Sequence, residues 1–157
     1  MKITSVQSST HTIPVEVPLL EKTIGQRLVF ARIDTEEGIV GYGMTGGLQR
    51  FAVREFINRE IEPLLKGRNP LETEALGYEM YRALNPRSQT GVWSSAVSAI
   101  DIALWDIKGK YYREPVWRLL GGAKKVVPAY ITFGLLGFDV QQLAEMASRF
   151  VREGQDK

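Results

Sequence analysis

Residues 96–122, AVSAIDIALWDIKGKYYREPVWRLLGG, constrain the fold more than any other stretch of this protein. Val92, Trp93, Ala96, Val97, Ala99, Ile100, Ala103, Leu104 and Ile107 recur at spacings that cover most of a helix's circumference. The gap is a narrow polar stripe of Ser94, Ser98, Asp101 and Lys108. A helix that is apolar nearly all round belongs between other layers, not on a surface. Ser94, Ser95, Ala96, Ser98 and Ala99 are small, so other backbones can approach it closely. Glu114-Pro115 interrupts the pattern, because a residue preceding proline is pushed out of the helical region. Val116 to Leu120 add a last short turn, which Gly121-Gly122 end. The rest of the molecule must pack around this helix.

What precedes it reads as strands and then helices. Residues 2–13 mix β-branched and small polar types and predict a strand. Pro14 and Pro18 predict a loop from Pro14 to Gly25, since proline removes a donor and resists regular structure. Gln26 to Asp34 alternates, with Leu28, Phe30 and Arg32 on one face and Val29, Ala31 and Ile33 on the other. Glu37-Gly38 supplies a turn, and Ile39 to Met44 returns as the third antiparallel strand. Gly41 and Gly43 leave its surface bare where another element can come close. After Thr45-Gly46-Gly47, Val53, Phe56, Ile57, Ile61 and Leu64 form one helical stripe, with Pro63 expected to end it. Asn69, Pro70 and Glu72 read as the capped start of a second helix, with Thr73, Leu76, Met80, Tyr81 and Leu84 inward. Short strands followed by a run of helices give an α+β class.

After Gly122 the pattern changes. Residues 126–133, VVPAYITF, predict one apolar strand. Asp139 predicts a helix cap with Gln142 at the capping-box position, and Leu143, Met146, Ala147, Phe150 and Val151 form the apolar face before Gly154. One strand and one helix make a βα unit, and such a strand needs neighbours on both faces.

A length of 157 residues supports one ordinary domain with a real core. The net charge of +2, without a basic run, argues against nucleic acid or an anionic membrane as partner. Cysteine is absent, which excludes disulfides and thiolate chemistry and agrees with a reducing, cytoplasmic setting. No apolar run approaches the roughly 20 residues of a spanning helix.

Candidate chemistry is sparse. His11 is the only histidine, so no histidine pair can bind metal or relay a proton. Asp101 and Asp106, five residues apart, point about 140° away from each other and do not form an acid–base pair. Asp106 projects toward Ala99, Ile102 and Ala103, where it needs a cation or a backbone donor. Gly41, Gly43, Gly46 and Gly47 lack the strand-to-helix spacing of a phosphate cradle.

Ala99-Ile100-Asp101-Ile102-Ala103-Leu104-Trp105-Asp106, Gly109-Lys110, Pro115-Val116 and Leu119-Leu120-Gly121-Gly122 stand at offsets that resemble the mandelate racemase/muconate-lactonizing branch of the enolase superfamily. The resemblance implies an α+β capping domain over residues 1–122, three antiparallel strands followed by a helical bundle. Residues 123–157 would then be the first strand and helix of a (β/α) barrel that this sequence holds only in part. In that superfamily a base removes the proton α to a carboxylate and Mg²⁺ stabilises the enolate. Racemases, cycloisomerases and acid-sugar dehydratases branch from this step, and dehydration is ranked first.

The family's bases and Mg²⁺ ligands lie later in the barrel, so no catalytic residue and no metal ligand is assigned here. Its lysine base motif closes the second barrel strand, and Lys157 stands ahead of that point. What the resemblance does assign is two substrate-gating segments, Val15 to Ile24 and Met44 to Gln49. Val15, Val17, Leu19, Leu20, Glu21 and Lys22 form the first, and Met44, Thr45 and Gln49 the second. The apolar content of the first suits water exclusion better than sugar hydroxyls. Many relatives carry Gly-x-Gly-Glu where this sequence has Gly41-Tyr42-Gly43-Met44, so no carboxylate stands there. The implied partners are a small carboxylate substrate, the rest of the barrel in cis or from another polypeptide, and further copies in a homo-oligomer. The fragment alone is expected to be inactive. The alternative is a non-enzymatic interaction or binding domain that retains the capping fold without a barrel.

Overall fold

The computed structural model describes residues 1–17, 22–84, 90–124, 126–128, 130, 132 and 137–153, with Lys22 by its backbone only. It divides into two compact units. The first comprises Met1–Ile13 with Gly25–Gly121, and the second Pro14–Ile24 with Gly122–Lys157.

The strands form one three-stranded antiparallel sheet in the order β1 (Ile3–Val17), β2 (Lys22–Thr35), β3 (Val40–Gly46), of which residues 3–13, 25–35 and 40–46 belong to the first unit. The register of β2 and β3 runs from Leu28 opposite Gly46 to Asp34 opposite Val40. Of the two faces of β2, the one carrying Val29, Ala31 and Ile33 is fully buried. The strands outrun the expectation, which had Pro14 to Gly25 as loop: β1 continues to Val17 and β2 starts at Lys22. Pro14 is tolerated because β1 is an edge strand, where a missing N–H leaves no inner ladder bond unmade.

The helices follow as α1 (Arg50–Phe56), a π-helical turn at Ile57–Ile61, α2 (Glu62–Leu65), α3 (Thr73–Leu84), α4 (Gly91–Tyr112) and α5 (Val116–Leu119). Val53, Ile57, Ile61 and Leu65 are the fully buried positions of the first three segments. Spacings of four drift by about 40° per step in a regular α-helix. The wide turn at 57–61 takes back that drift, so Leu65 is fully buried, while the expected Leu64 packs half-buried against the core. Pro63 does not end the helix as its residue type predicts; it sits inside α2 directly after the widened turn. α3 begins three residues later than the Asn69–Pro70 signal, at Thr73. Asn69 instead closes a turn, accepting from Leu71 N–H at 3.2 Å and donating to Glu72 Oε1 at 3.2 Å.

α4 is the expected central helix, with Ala96, Ala99, Ile100, Ala103, Leu104 and Ile107 fully buried. β3 lies along it at backbone contact. A Cβ on Gly43 would overlap the Ala99 carbonyl, and one on Gly41 the Ala103 carbonyl. Four residues of helix rise about 6 Å and two of strand about 6.8 Å, so the two glycines meet the two alanines in step.

Each sheet edge is met at two positions by side chains or loops from elsewhere in this unit. At β1, Ile3 exchanges backbone bonds with Gly67 and Arg68. Asn58 then accepts from Ser8 N–H at 2.8 Å, while Ser8 Oγ donates to the Arg54 carbonyl at 3.1 Å. At β3, Asp106 and Lys110 of α4 meet the edge with side-chain bonds to Tyr42 and Val40.

In the second unit, α6 (Val140–Arg152) carries the expected capping box. Gln142 N–H donates to Asp139 Oδ1 at 2.8 Å, and Asp139 N–H to Gln142 Oε1 at 2.9 Å. Met146 is its buried residue, with Leu143, Ala147 and Phe150 half-buried. Val151 is exposed, and the expected stop at Gly154 lies outside the described residues. Of the stretch 126–133, the described residues 126–128, 130 and 132 are in no sheet. Val126 and Tyr130 are 82% and 91% exposed. A strand exists only against a neighbour, and no described residue offers one there.

Two substitutions test this packing. Leu104→Ala is expected to cost about 2–5 kcal/mol, read as a lower urea midpoint, because the side chain is fully buried. Gly43→Ala should cost at least about 1–3 kcal/mol, since the obstacle is the Ala99 backbone and cannot rotate away. An unchanged midpoint for either variant would remove α4 from the centre of the fold.

Candidate functional site

Of the two segments expected to gate a substrate, the described residues of the first are strand ends, and the second runs from the end of β3 into a turn at Gly47–Gln49. Val15 and Val17 close β1, with Val17 buried and Val15 exposed. Lys22 opens β2. Leu19, Leu20 and Glu21 lie outside the described residues. This first segment falls within the second unit, and Met44, Thr45 and Gln49 fall within the first.

The second segment is set by three backbone facts. Met44 and Thr45 still belong to β3, paired opposite Phe30 and Val29. Gly47 presses on Arg27 so closely that a Cβ would overlap the Arg27 backbone. Gln49 sits in the left-handed region at φ 54°, uncommon for a residue with a Cβ, and its carbonyl accepts from Val53 N–H at 3.0 Å to start α1. Between these two constraints Leu48 projects into solvent, 88% exposed. Phe51, also exposed, carries the Arg50 guanidinium 4.3 Å from its ring centre. Met44, Leu48 and Phe51 therefore present apolar surface around one short stretch. An open cleft of about 550 Å³ lies beside it, lined by Leu48, Gln49, Thr90, Gly91, Ser94 and Ser95.

Leu48 was missing from the sequence-derived residues. Its signal is a lone large apolar residue in a glycine-containing turn, which is indistinguishable from an ordinary surface leucine until the backbone on either side is seen to be fixed.

The remaining polar candidates resolve into local contacts. His11 Nε2 lies 2.7 Å from Ser9 Oγ, and its ring meets Phe30 edge-on at 5.2 Å. They lie on the outer face of the sheet, in a depression of about 460 Å³ that Gln7, Arg32 and Tyr42 also line. Arg32 there is engaged with Asp34 at 2.7 Å, which together with Ser5 Oγ holds the Asp34 carboxyl below its usual range. Asp106 finds both partners its position requires. Its Oδ2 accepts from Tyr42 N–H at 2.8 Å and from Lys110 Nζ at 2.6 Å. Asp139 is occupied by its own capping box. Among the described residues no three His, Cys, Asp or Glu side chains come together as a metal site. No described helix is long and apolar enough to cross a membrane.

Among the described residues Asp101 is the one carboxyl pushed upward, first by partial desolvation and second by repulsion from Glu74 on α3. For a carboxyl whose folded pKa is raised, stability is full below the unfolded value and falls as pH rises through the folded one. Asp101→Asn is therefore expected to raise the urea midpoint at about pH 7 and to leave it unchanged near pH 3, below the ordinary Asp value of about 3.9. Equal effects at both pH values would show that the desolvated carboxyl is not responsible.

The described residues around Leu48 form an exposed apolar segment beside an open cleft. The family profile for the mandelate racemase / muconate lactonizing enzyme N-terminal domain matches residues 1–121. The chain is 33% identical over 161 residues to the 3,6-anhydro-alpha-L-galactonate cycloisomerase of Streptomyces coelicolor, spanning 97% of this chain and 44% of that protein. It is 39% identical over 141 residues to the D-galactonate dehydratase of Verminephrobacter eiseniae, spanning 88% of this chain and 32% of that protein. Among solved structures, a racemase from Streptomyces coelicolor A3(2) with bound magnesium superposes with a TM-score of 0.82 at 31% identity. The match covers 96% of this chain and 44% of the racemase. The chain thus spans less than half the length of the relatives it matches.

Proposed function

The chain belongs to the mandelate racemase/muconate lactonizing enzyme family, and from that premise we propose that it caps a barrel enzyme that removes the proton α to a carboxylate. On this reading residues 1–122 are the cap and residues 123–157 open the (β/α) barrel. The observation that carries it is the match of residues 1–121 to a capping-domain profile, on a polypeptide whose sheet-then-helices order is that of a cap. The cycloisomerase and dehydratase among its relatives support a lyase or isomerase, with a small sugar acid as substrate and dehydration ranked first.

The residues present do not fit Mg²⁺. A hard cation wants several oxygen ligands in near-octahedral geometry. Many described carboxylates are engaged by arginine, lysine, the N-terminal amine or a helix cap, and no three come together with one another or with histidine among the described residues. The cation and the base are therefore assigned to barrel residues outside these 157, supplied in cis or by another polypeptide, in a protein that assembles as a homo-oligomer. The work of this part is to exclude water and select the acid. Met44, Thr45, Leu48 and Gln49 do so from one segment, and Val15, Val17, Leu19, Leu20, Glu21 and Lys22 from the other.

Residues 1–157 alone are expected to show no saturable Mg²⁺ binding by calorimetry and no α-proton exchange by NMR when incubated with sugar acids in D₂O. A polypeptide that adds a complete barrel, roughly 250 residues, should show both. Exchange by residues 1–157 alone would place a base among residues described here as structural. Absence of exchange from the barrel-containing protein would remove the enzymatic reading.

A further inference from the structure

The free edge of β3 is met by two side chains of α4, and the second gating segment leaves from that edge. Tyr42 N–H and the Val40 carbonyl point away from β2. Asp106 Oδ2 accepts from the first at 2.8 Å, and Lys110 Nζ donates to the second at 2.7 Å. The two side chains are themselves paired at 2.6 Å, and the Lys110 ammonium lies 5.2 Å from the centre of the Tyr42 ring. Four groups thus form one closed set spanning two backbone positions on β3 and two positions one turn apart on α4. Two residues beyond Tyr42 the gating segment begins, at Met44.

We propose that Asp106 and Lys110 are a positioning pair for Met44–Gln49. They stand in for a missing fourth strand and fix where β3 ends relative to α4. The glycine–alanine contact sets the distance between strand and helix, but it includes no directional hydrogen bond to hold the end of β3 against α4. Directional hydrogen bonds to a backbone N–H and a backbone carbonyl do hold it, and charge on both side chains shortens and strengthens them. The pair is partly exposed, so its contribution to global stability is small. Its effect is local and falls on the segment that follows. That Met44–Gln49 gates a substrate rests on the reading above; that Asp106 and Lys110 hold it does not.

The test uses the 157-residue protein, by amide hydrogen exchange and ¹⁵N relaxation on Asp106→Ala, Asp106→Asn and Lys110→Met. In Asp106→Ala the Tyr42 amide should exchange about tenfold faster or more, the scale of one lost hydrogen bond to a charged group. Order parameters of Met44–Gln49 should fall from about 0.85 toward about 0.6. The amides of Gly41 and Gly43, which face β2, should keep their protection. Asp106→Asn keeps an oxygen for Tyr42 N–H and should restore both readouts in large part, and Lys110→Met should fall between. The proposal is overturned if Tyr42 is released while Met44–Gln49 stays rigid. It is equally overturned if Gly41 and Gly43 accelerate in step with Tyr42, because the pair would then serve only overall stability. Neither result bears on whether the protein belongs to an enzyme, which the exchange assay in D₂O decides separately.

Discussion

The contact between β3 and α4 is the constraint on which the first unit depends. A strand with side chains normally stands off a helix by the depth of those side chains. Here Gly41 and Gly43 bring the β3 backbone onto the carbonyls of Ala103 and Ala99. Glycine in a strand weakens it through lost packing and higher conformational entropy. The compensation is that α4 can then bury Ile100, Leu104 and Ile107 together with Ala96, Ala99 and Ala103. The helix that is apolar nearly all round needs contacts on nearly all sides, and the glycine strand supplies one of them without taking up volume. The same closeness puts Asp106 within reach of a strand edge. A longer gap would have left that carboxylate unpaired against β3.

Much of this was legible because the signals are local or periodic. The central helix, the turn at Gly38, the third strand and the Asp139–Gln142 capping box stand in the structure where residue type and spacing put them. Asp106 was also readable as needing a cation or a backbone donor, and it has one of each. What escaped depends on neighbours that periodicity does not see. Pro14 reads as a breaker, yet an edge strand accommodates it. Pro63 reads as a helix end, yet a preceding π-helical turn lets the helix pass it. That turn makes Leu65 the fully buried position and leaves Leu64 half-buried against the core, and no apolar pattern announces a change of helical pitch. Asn69 and Glu72 make the contact their types promise, but in a turn ahead of the helix and not on it.

The candidate site was less legible than the fold, for a related reason. Its residues came from a resemblance, and the structure gives them unequal standing. Met44, Thr45 and Gln49 occupy fixed backbone positions, whereas Leu19, Leu20 and Glu21 lie outside the described residues. Leu48 was overlooked because exposure of a leucine means little by itself. Its meaning comes from Gly47 and Gln49, whose backbones are held by a close approach and by a left-handed conformation.

Packed residues and exposed residues answer to different demands, and that difference bears on how members of this family could vary on one fold. Gly41 and Gly43 cannot gain a Cβ without moving the backbone at Ala103 and Ala99, so each glycine is tied to its helix position. Met44 and Leu48 touch little and are exposed, so their exchange for other residue types costs little stability. On the capping reading, the residues that meet substrate are those that packing leaves free, and the residues that hold them in place are those that packing forbids to change. A cap built this way can alter its selectivity at Met44 or Leu48 without rebuilding α4, provided the end of β3 stays where Asp106 and Lys110 hold it. On that same reading, large apolar side chains at both positions would favour a substrate portion that presents C–H surface, and hydroxyls would need partners elsewhere.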